Sequence, residues 1–383
     1  MKAQMTPRER VMAALHHEEP DRLPFDLGGT GTTSLVVETY ENLKAYEGTS
    51  APAEIMFKAF RVARLDEETM RRLGSDLRPV MVKPPKHWPP PPSEPGTFID
   101  EFGIKWRQVT YSRGYYWELA SHPLAHATIS DLDAYPWPNV DDPGRYAGLA
   151  EEVRDLFQNT PYALVGDSGF KGFWEPAFML RGLTQALMDL VQDPEFMHAL
   201  LEKLFEVNAA ITKRFLEITG PYLAAMRIVD DLATQTAPIM SPATYRAMIK
   251  PYHKRFCELI REYTDAVIVL HSCGNITLLV DDLIDAGVQA LNPVQVSAIP
   301  DVAGLKTKYG DRLSFWGGID SQHVLPHGTP EEVREEVRLR IHQLGKGGGY
   351  IAAAVHNIQS DVPPRNIIAM SEAVREFGVY PIQ

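Results

Sequence analysis

The chain has little cysteine, no long apolar run and no excess of positive charge. Its 383 residues include two cysteines, Cys257 and Cys273, which is too few for a disulfide framework. No apolar run approaches the length of a membrane span, and the N-terminus lacks a signal-peptide pattern. The net charge of −12 argues against nucleic acid as a main partner. We therefore expect a soluble cytoplasmic protein with no membrane or nucleic-acid partner, whose thiols are free to bind a metal.

Phosphate-binding motifs are also missing. The glycine-rich segment 28–34 follows a predicted strand but has neither the G-x-G-x-x-G spacing nor a Lys-Ser/Thr pair, so it is either an active-site loop or a simple turn. The run Gly345-Lys-Gly-Gly-Gly349 precedes its strand, which is typical of a helix end and turn. Neither glycine-rich segment predicts a nucleotide site.

Short apolar segments alternate with predicted helices along the chain. Eight of them, near residues 24, 80, 164, 226, 268, 291, 315 and 351, have the composition of buried strands. Strands separated by helices predict parallel pairing with right-handed crossovers. The fold class is therefore α/β, a (β/α)8 TIM barrel with an N-terminal extension, forming a single domain over residues 1–383. The aromatic-rich stretch 98–119 predicts a β-hairpin within an insertion at about 86–145.

Polar side chains follow most of the predicted strands, and in a TIM barrel the chemistry lies at those strand ends. They are Asp26, Asp167, Asp230, Asp231, His271, Cys273, Asn292, Asp320 and His356. His271 and Cys273 offer an imidazole nitrogen and a thiolate sulfur, both of which bind zinc. Taken alone, this pair is better interpreted as a packed histidine beside a buried thiol. The other polar strand ends favour a site at one mouth of the barrel.

Several longer motifs are spread over nearly the whole chain. They are Thr6-Pro-Arg-Glu-Arg-Val, Pro20-Asp-Arg-Leu-Pro24, His271-Ser-Cys-Gly-Asn275, Leu291-Asn-Pro-Val, Trp316-Gly-Gly-Ile-Asp320, Gly328-Thr-Pro-Glu-Glu-Val333, Gly348-Gly-Tyr-Ile and Pro364-Arg-Asn-Ile. With these motifs the chain resembles the uroporphyrinogen decarboxylase (URO-D) superfamily. The resemblance implies the (β/α)8 fold and one of two chemistries. One branch decarboxylates a porphyrinogen without metal, and the other consists of zinc- and cobamide-dependent methyltransferases.

The methyltransferase branch holds zinc with an H-x-C and a later residue, usually cysteine, after the last strand. This chain has His271 and Cys273, with His356 at the later position, and imidazole also binds zinc. The resemblance therefore implies a zinc site with three protein ligands and an open fourth position. The decarboxylase branch carries a cationic segment after its first strand for the substrate carboxylates, whereas segment 25–34 here contains no cation. This difference favours methyl transfer.

We therefore hypothesise a zinc-dependent methyltransferase that exchanges a methyl group with a corrinoid. The sequence lacks the D-x-H-x-x-G motif, so the cobalamin is expected on a small corrinoid-binding partner protein. The other substrate is a small methylated molecule or a thiol. With His356 in place of a thiolate, zinc keeps more positive charge, which favours removing methyl from a molecule such as an aryl methyl ether (O-demethylation). The alternatives are a porphyrinogen decarboxylase of tetrapyrrole biosynthesis and a non-catalytic corrinoid- or metal-binding protein.

Further site residues follow from the same hypothesis. Asp230 and Asp231 are predicted to handle protons or orient ligands, although capping a helix explains one of them equally well. The predicted substrate-binding residues are Asp26, Phe170, Trp174, Asn292, Trp316 and Asp320. For the aromatic members, packing within the barrel is nearly as good an explanation. Cys257 flanks the apolar stripe of the preceding helix and is interpreted as a buried core thiol.

Overall fold

The computed structural model describes residues 4–50, 52–88, 91, 93–111, 114–169 and 171–382. Its strands are β1 (Glu54–Phe57), β2 (Val62–Arg64), β3 (Leu77–Met81), β4 (Thr97–Ile99), β5 (Lys105–Tyr111), β6 (Gly114–Ser121), β7 (Ala163–Asp167), β8 (Ala225–Val229), β9 (Val267–His271), β10 (Ala290–Val294), β11 (Ser314–Ile319) and β12 (Tyr350–Ala354). Seven of these form one parallel sheet in the order β12-β11-β10-β9-β8-β7-β3. The fold is α/β and resembles a TIM barrel.

Helices separate the barrel strands and pack around them. They are α1 (Pro7–Leu15), α2 (Val37–Tyr46), α3 (Glu67–Leu73), α4 (Ile129–Ala134), α5 (Leu149–Asn159), α6 (Trp174–Arg181), α7 (Leu183–Gln192), α8 (Pro194–Thr219), α9 (Pro242–Met248), α10 (Lys250–Tyr263), α11 (Val280–Asp285), α12 (Val302–Tyr309), α13 (Val324–His327), α14 (Pro330–Leu344) and α15 (Pro364–Phe377). Capping boxes start two of these helices, with Thr6 and Glu9 at α1 and Thr329 and Glu332 at α14.

The segment predicted as the first of eight strands is the exception, because it does not form a regular strand. Phe25 makes only an isolated parallel bridge to Ala352 in β12. On the β3 side, the Phe25 carbonyl accepts a hydrogen bond from the Asp76 amide at 2.8 Å, but the Phe25 amide donates to the Asp76 carboxyl. Pro24 has no amide hydrogen and therefore cannot donate a hydrogen bond to a neighbouring strand. The segment therefore connects both edges of the seven-stranded sheet without belonging to it.

The barrel interior is filled by side chains from alternate strand positions. Inward-facing Val165, Ala225, Val267 and Val269 belong to one buried cluster, which also contains Val11 and Leu15 of α1. Helix α1 hydrogen-bonds to residues just before β7 and β12. The N-terminal extension thus covers the amino end of the barrel and leaves the carboxyl end of the strands for a site.

Two small antiparallel sheets lie outside the barrel. Residues 98–119 were expected to form a hairpin, and the structure adds a strand to it, giving the three-stranded order β4-β5-β6. The β1–β2 hairpin was not foreseen, since its strands are only four and three residues long. Both sheets present aromatic side chains to each other, with Phe60 and Trp106 in an edge-to-face contact at 6.4 Å between ring centroids.

Among the described helices, none is both long enough and apolar enough to cross a membrane.

Candidate metal centre

The end of β9 turns sharply and brings two donor side chains together. His271 is the last residue of the strand, and Gly274 follows with φ +91°, a conformation that favours glycine. A Cβ on Gly274 would lie 2.4 Å from the Thr234 carbonyl oxygen, so another residue does not fit here. Cys273, between the strand end and this turn, is held by its amide, which donates to Asp231 at 2.8 Å. The H-x-C-G sequence therefore folds into a fixed ligand-bearing turn.

A third donor reaches this turn from β12. His356 follows β12, and its ring centroid lies 5.5 Å from that of His271. The ligand atoms of His271, Cys273 and His356 all lie within 4.8 Å of one another. His271 Nε2 and Cys273 Sγ are 3.6 Å apart, which matches the roughly 3.3–3.6 Å between neighbouring corners of a tetrahedral zinc site. The donor set, two imidazole nitrogens and one sulfur, therefore fits zinc.

Asn292 on the neighbouring strand β10 sets the orientation of His271. Its side-chain oxygen lies 2.6 Å from His271 Nδ1 and also accepts a hydrogen bond from the Thr32 hydroxyl at 3.2 Å. An amide oxygen only accepts, so Nδ1 of His271 carries the hydrogen and Nε2 keeps its lone pair. This is the arrangement by which an outer hydrogen bond fixes a metal-binding histidine. Asn292 thus supports a ligand from behind and does not line the cavity.

Burial keeps both histidines neutral. It lowers the pKa of His271 to about 3, and the positive charge of Arg227 acts in the same direction. Burial lowers the pKa of His356 to about 4, and the neighbouring ring of His271 is a second, smaller cause in the same direction. Burial, followed by the negative charges of Asp231 and Glu175, raises the pKa of the Cys273 thiol. Without a bound metal, these residues would be two neutral imidazoles and a thiol, whose proton a metal would displace.

The neighbouring aspartates Asp230 and Asp231 have different surroundings. Asp231 lines the cavity and accepts the Cys273 amide. Asp230 is fully buried, and its carboxyl group accepts four hydrogen bonds: the amides of Phe173, Trp174 and Glu175 and the ring of His253. Asp230 therefore caps the amino end of α6, where unpaired amides require an acceptor.

A cavity of about 120 Å³ opens above the cluster. His271, His356 and Asp231 lie at its base, and Phe57, Phe60, Trp106 and Met179 supply apolar walls. The remaining lining residues are Gly31, Thr32, Asp167, Gly169, Lys171, Glu175, Arg227, Val229 and Asn357. Sites for drug-sized ligands occupy about 300–1,000 Å³, so this space suits a considerably smaller molecule.

The charged residues of the cavity are nearly balanced. Arg227 on β8 pairs with Asp167 on β7 through Nη1 and Oδ2 at 2.6 Å, and both side chains are buried. Lys171 makes no ion pair with the described residues. Glu175, on the first turn of α6, and Asp231 are the other carboxyl groups. With three carboxyl groups and two cations, the cavity lacks the cationic excess that a polycarboxylate ligand requires.

The five described residues that were predicted to bind substrate all lie outside the cavity lining: Asp26, Trp174, Asn292, Trp316 and Asp320. Asp26 is fully buried and accepts the Trp316 indole N–H at 2.9 Å within the barrel. Trp174 is buried in the core cluster outside the barrel. Asp320 accepts the amides of Gln322 and His323 and thereby closes the turn after β11. Phe170 lies outside the described residues.

Sequence reasoning did not single out Glu175, Arg227, Lys171 or the aromatic wall. A signal existed for Arg227, because a charged residue within the apolar run Ala225-Met-Arg-Ile-Val229 is unusual in a buried strand. Phe57, Phe60 and Trp106 come from the outer antiparallel sheets, whose position over the barrel no local pattern reveals. Cys257 packs in the core on α10, and burial raises its pKa to about 12.

Comparison with known sequences identifies relatives. The family model described as "Uroporphyrinogen decarboxylase (URO-D)" matches residues 121–377, more than half of the chain. The uroporphyrinogen decarboxylase of Ectopseudomonas mendocina is 26% identical over 281 residues, covering 70% of this chain and 74% of the relative. The uroporphyrinogen decarboxylase of Pseudoalteromonas translucida is 27% identical over 278 residues, which cover 69% of this chain and 74% of the relative.

A solved structure is similar over nearly the full length. It is described as a methyltransferase from Methanosarcina mazei and aligns with a TM-score of 0.66, covering 98% of this chain and 99% of the other. The two sequences are 18% identical, so the likeness concerns the fold. The shared fold includes the regions outside residues 121–377.

Proposed function

Because the chain belongs to the uroporphyrinogen decarboxylase (URO-D) family, we propose that it is a zinc-dependent methyltransferase of this family that passes a methyl group from a small methylated molecule to a corrinoid protein. The observation that carries the proposal is the cluster of His271, Cys273 and His356, whose two histidines line a small cavity. Two neutral imidazoles and one thiol are donors for zinc. Decarboxylation in this superfamily needs no metal, so such a cluster favours methyl transfer.

The residues have distinct tasks in this proposal. His271, Cys273 and His356 hold zinc, Asn292 orients His271, and Asp231 fixes the turn that carries Cys273. When bound, zinc supplies Lewis acidity to the heteroatom that carries the methyl group. Two imidazoles and one thiolate leave the metal more positive than a site with two thiolates. This charge favours demethylation of an ether or amine over activation of a thiol, and we propose an aryl methyl ether as the donor.

The cavity dimensions support a small donor. Its aromatic wall, formed by Phe57, Phe60 and Trp106, suits a flat ring. Its volume of about 120 Å³ is below the roughly 300–1,000 Å³ of sites for drug-sized ligands. The corrinoid approaches from outside on a partner protein in this proposal. We also propose a cytoplasmic location without nucleic-acid or membrane partners, because the thiols are free and the chain is acidic.

The test combines metal analysis with a methyl-transfer assay. Protein purified without chelator should contain about one zinc per chain. With zinc present, the protein should convert cob(I)alamin and an aryl methyl ether to methylcobalamin and the corresponding phenol. The change in cobalamin absorbance measures this conversion. Absence of metal contradicts the zinc site, whereas transfer only from methylcobalamin to a thiol contradicts the direction. Zinc without transfer in either direction supports a non-catalytic metal-binding protein.

His356 distinguishes this site from the usual ligand set, and paired variants test it. His356→Ala should lose zinc and activity together, because one of three protein ligands is removed. His356→Cys should keep zinc, since thiolate is also a ligand. If His356→Ala retains zinc as tightly as the parent, the ligand assignment is wrong.

The second candidate is a porphyrinogen decarboxylase, which the names of the sequence relatives favour. Its substrate carries several carboxylates, but Arg227 is already paired with Asp167 and the cavity has more carboxyl groups than cations. Pigment analysis after incubation with uroporphyrinogen distinguishes the two functions. We expect no decarboxylated porphyrinogen, and its formation would overturn the methyltransferase proposal.

A further inference from the structure

Glu175 is a carboxylic acid in the cavity with no assigned task. It lies on the first turn of α6, and its side chain lines the same cavity as Asp231, His271 and His356. Among the described residues, the group of mutually close metal donors contains His271, Cys273 and His356 but not Glu175. Glu175 is therefore placed beside the metal donors without being one of them.

Burial favours the protonated form of Glu175, and charges of both signs lie near it. Asp231 and Asp230 face it as acids, while Lys171 and Arg227 face it as cations. Arg227 is already paired with Asp167 at 2.6 Å. Burial, followed by the negative charges of Asp231 and Asp230, raises the pKa of Glu175 well above its ordinary value. Carboxyl groups that share a buried site cannot all ionise, so one keeps its proton.

The other cavity acids are less available as proton donors. Asp231 accepts the Cys273 amide at 2.8 Å and is thereby tied to the ligand-bearing turn. Asp167 accepts from Arg227 and from the Gly169 amide at 2.8 Å. Among the described residues, no hydrogen bond or ion pair to the Glu175 carboxyl group is found. Its proton is therefore free to pass to a ligand in the cavity.

The position of Glu175 is set by a buried hydrogen-bonded chain. The Glu175 amide donates to Asp230 Oδ1 at 2.9 Å. Asp230 Oδ2 accepts from His253 Nε2 at 3.1 Å, and His253 Nδ1 in turn accepts from the Tyr245 hydroxyl at 3.0 Å. Gly172 (φ +91°) admits Asp230 to this place, because a Cβ there would lie 2.4 Å from Asp230 Oδ1. Asp230 is thus a positioning residue for Glu175.

We propose that Glu175 is the general acid that protonates the leaving heteroatom during demethylation. This inference rests on the proposed function. The methyl–oxygen bond breaks, and Co(I) of the partner corrinoid supplies the electron pair for the new methyl–cobalt bond and becomes Co(III). The departing oxygen keeps the pair of the broken bond and takes the proton of Glu175. One proton taken up from bulk solvent then restores the Glu175 carboxylic acid, so the net reaction consumes one proton for each phenol released.

Glu175→Gln with two matched aryl methyl ethers tests the proposal. Methoxybenzene releases a basic phenolate that needs a proton, whereas 4-nitromethoxybenzene releases a weakly basic one that does not. Loss of a general acid typically lowers the rate about 10²–10⁴-fold. We expect a loss of at least about 10²-fold for methoxybenzene and a much smaller one for the nitro compound. Equal losses on both substrates would overturn the assignment.

Two further measurements separate this inference from the proposed function. Zinc content should be unchanged in Glu175→Gln, because Glu175 is not one of the metal donors. A loss of zinc in this variant would show that Glu175 is a ligand. Infrared spectroscopy of the purified parent at neutral pH should show a protonated-carboxyl band that disappears in Glu175→Gln and persists in Glu258→Gln, an exposed control on α10. If the parent shows no such band, Glu175 is not the acid, even if demethylation is observed. If the band is present and both ethers are inert, the proposed function fails and the acid role fails with it.

Discussion

Two groups of polar residues at the barrel mouth have similar side chains but different surroundings. At the ends of β8 and β9, Asp231 and His271 line the cavity. After β11, Asp320 is equally polar but accepts two amides of its own turn, and Asp26 accepts the indole of Trp316 inside the barrel. The comparison shows that a polar residue at a strand end belongs to the site only where its side chain also reaches the open cavity.

The same contrast exists between adjacent residues. Asp230 and Asp231 both follow β8, yet one accepts four hydrogen bonds in the core and the other faces the cavity. Each carboxyl group has the same chemistry. The difference arises because the backbone turns successive side chains toward different neighbours.

The largest effect is expected at Cys273, the sulfur donor of the candidate metal centre. Cys273→Ala should lose the metal and reduce methyl transfer by on the order of 10³-fold or more, because the Lewis acid is gone. The fold should persist, since a metal at the barrel mouth is not part of the buried core. Elemental analysis, circular dichroism and the transfer assay check these outcomes.

Cys257 is the matched control for this thiol. Cys257 is buried in the core on α10. The Cys257→Ser protein should keep its zinc, and its free energy of unfolding should fall by about 1–2 kcal/mol because a hydroxyl replaces a buried thiol. A Cys257→Ser protein without zinc would make Cys257 a ligand. A Cys273→Ala protein that fails to fold would make the Cys273 thiol structural.

The next effect separates the two aspartates. Asp230→Ala should destabilise the protein by about 3–5 kcal/mol, because four buried donors lose their acceptor. Asp231→Ala should change stability by only about 1 kcal/mol but weaken metal binding about 10–100-fold, since it orients the Cys273 turn. Urea unfolding and competitive zinc titration measure both quantities. Similar stability losses in the two variants would contradict the different surroundings of Asp230 and Asp231.

A smaller effect is expected from Asp26, which does not line the cavity. Burial raises its pKa from 3.8 to about 6, against the opposing hydrogen bonds from Thr33, Gly29 and Trp316. Since the folded pKa lies above the unfolded one, the stabilisation is complete below about pH 4 and is lost as the pH rises through about 6. The loss should total about 2–3 kcal/mol.

Asp26→Asn removes this titration, so unfolding free energies of parent and variant should diverge between pH 4 and pH 7. The parent should lose stability relative to the variant as the pH rises. A constant difference over that range would show that the ionisation of Asp26 is not coupled to folding.

Much of the fold was predictable, because buried parallel strands require continuous apolar runs. Seven predicted strands are confirmed, and their order follows from helical crossovers. The eighth was wrong as a regular strand: Pro24 lacks an amide hydrogen, and Phe25 donates to the Asp76 side chain. The predicted single hairpin was incomplete, since a strand as short as β4 leaves almost no periodic pattern.

For the candidate site, the sequence by itself determined which residue types were available. His271 and Cys273 lie two apart at a strand end, and the resemblance pointed to His356, which the structure brings within 4.8 Å of them. Only the tertiary structure decided that Asp230 faces the core and Asp231 the cavity, and that Glu175 lies beside the donors. The reason is physical: strands follow from local apolar patterns, whereas a cavity is enclosed by segments distant in sequence, here the two outer sheets and the first turn of α6.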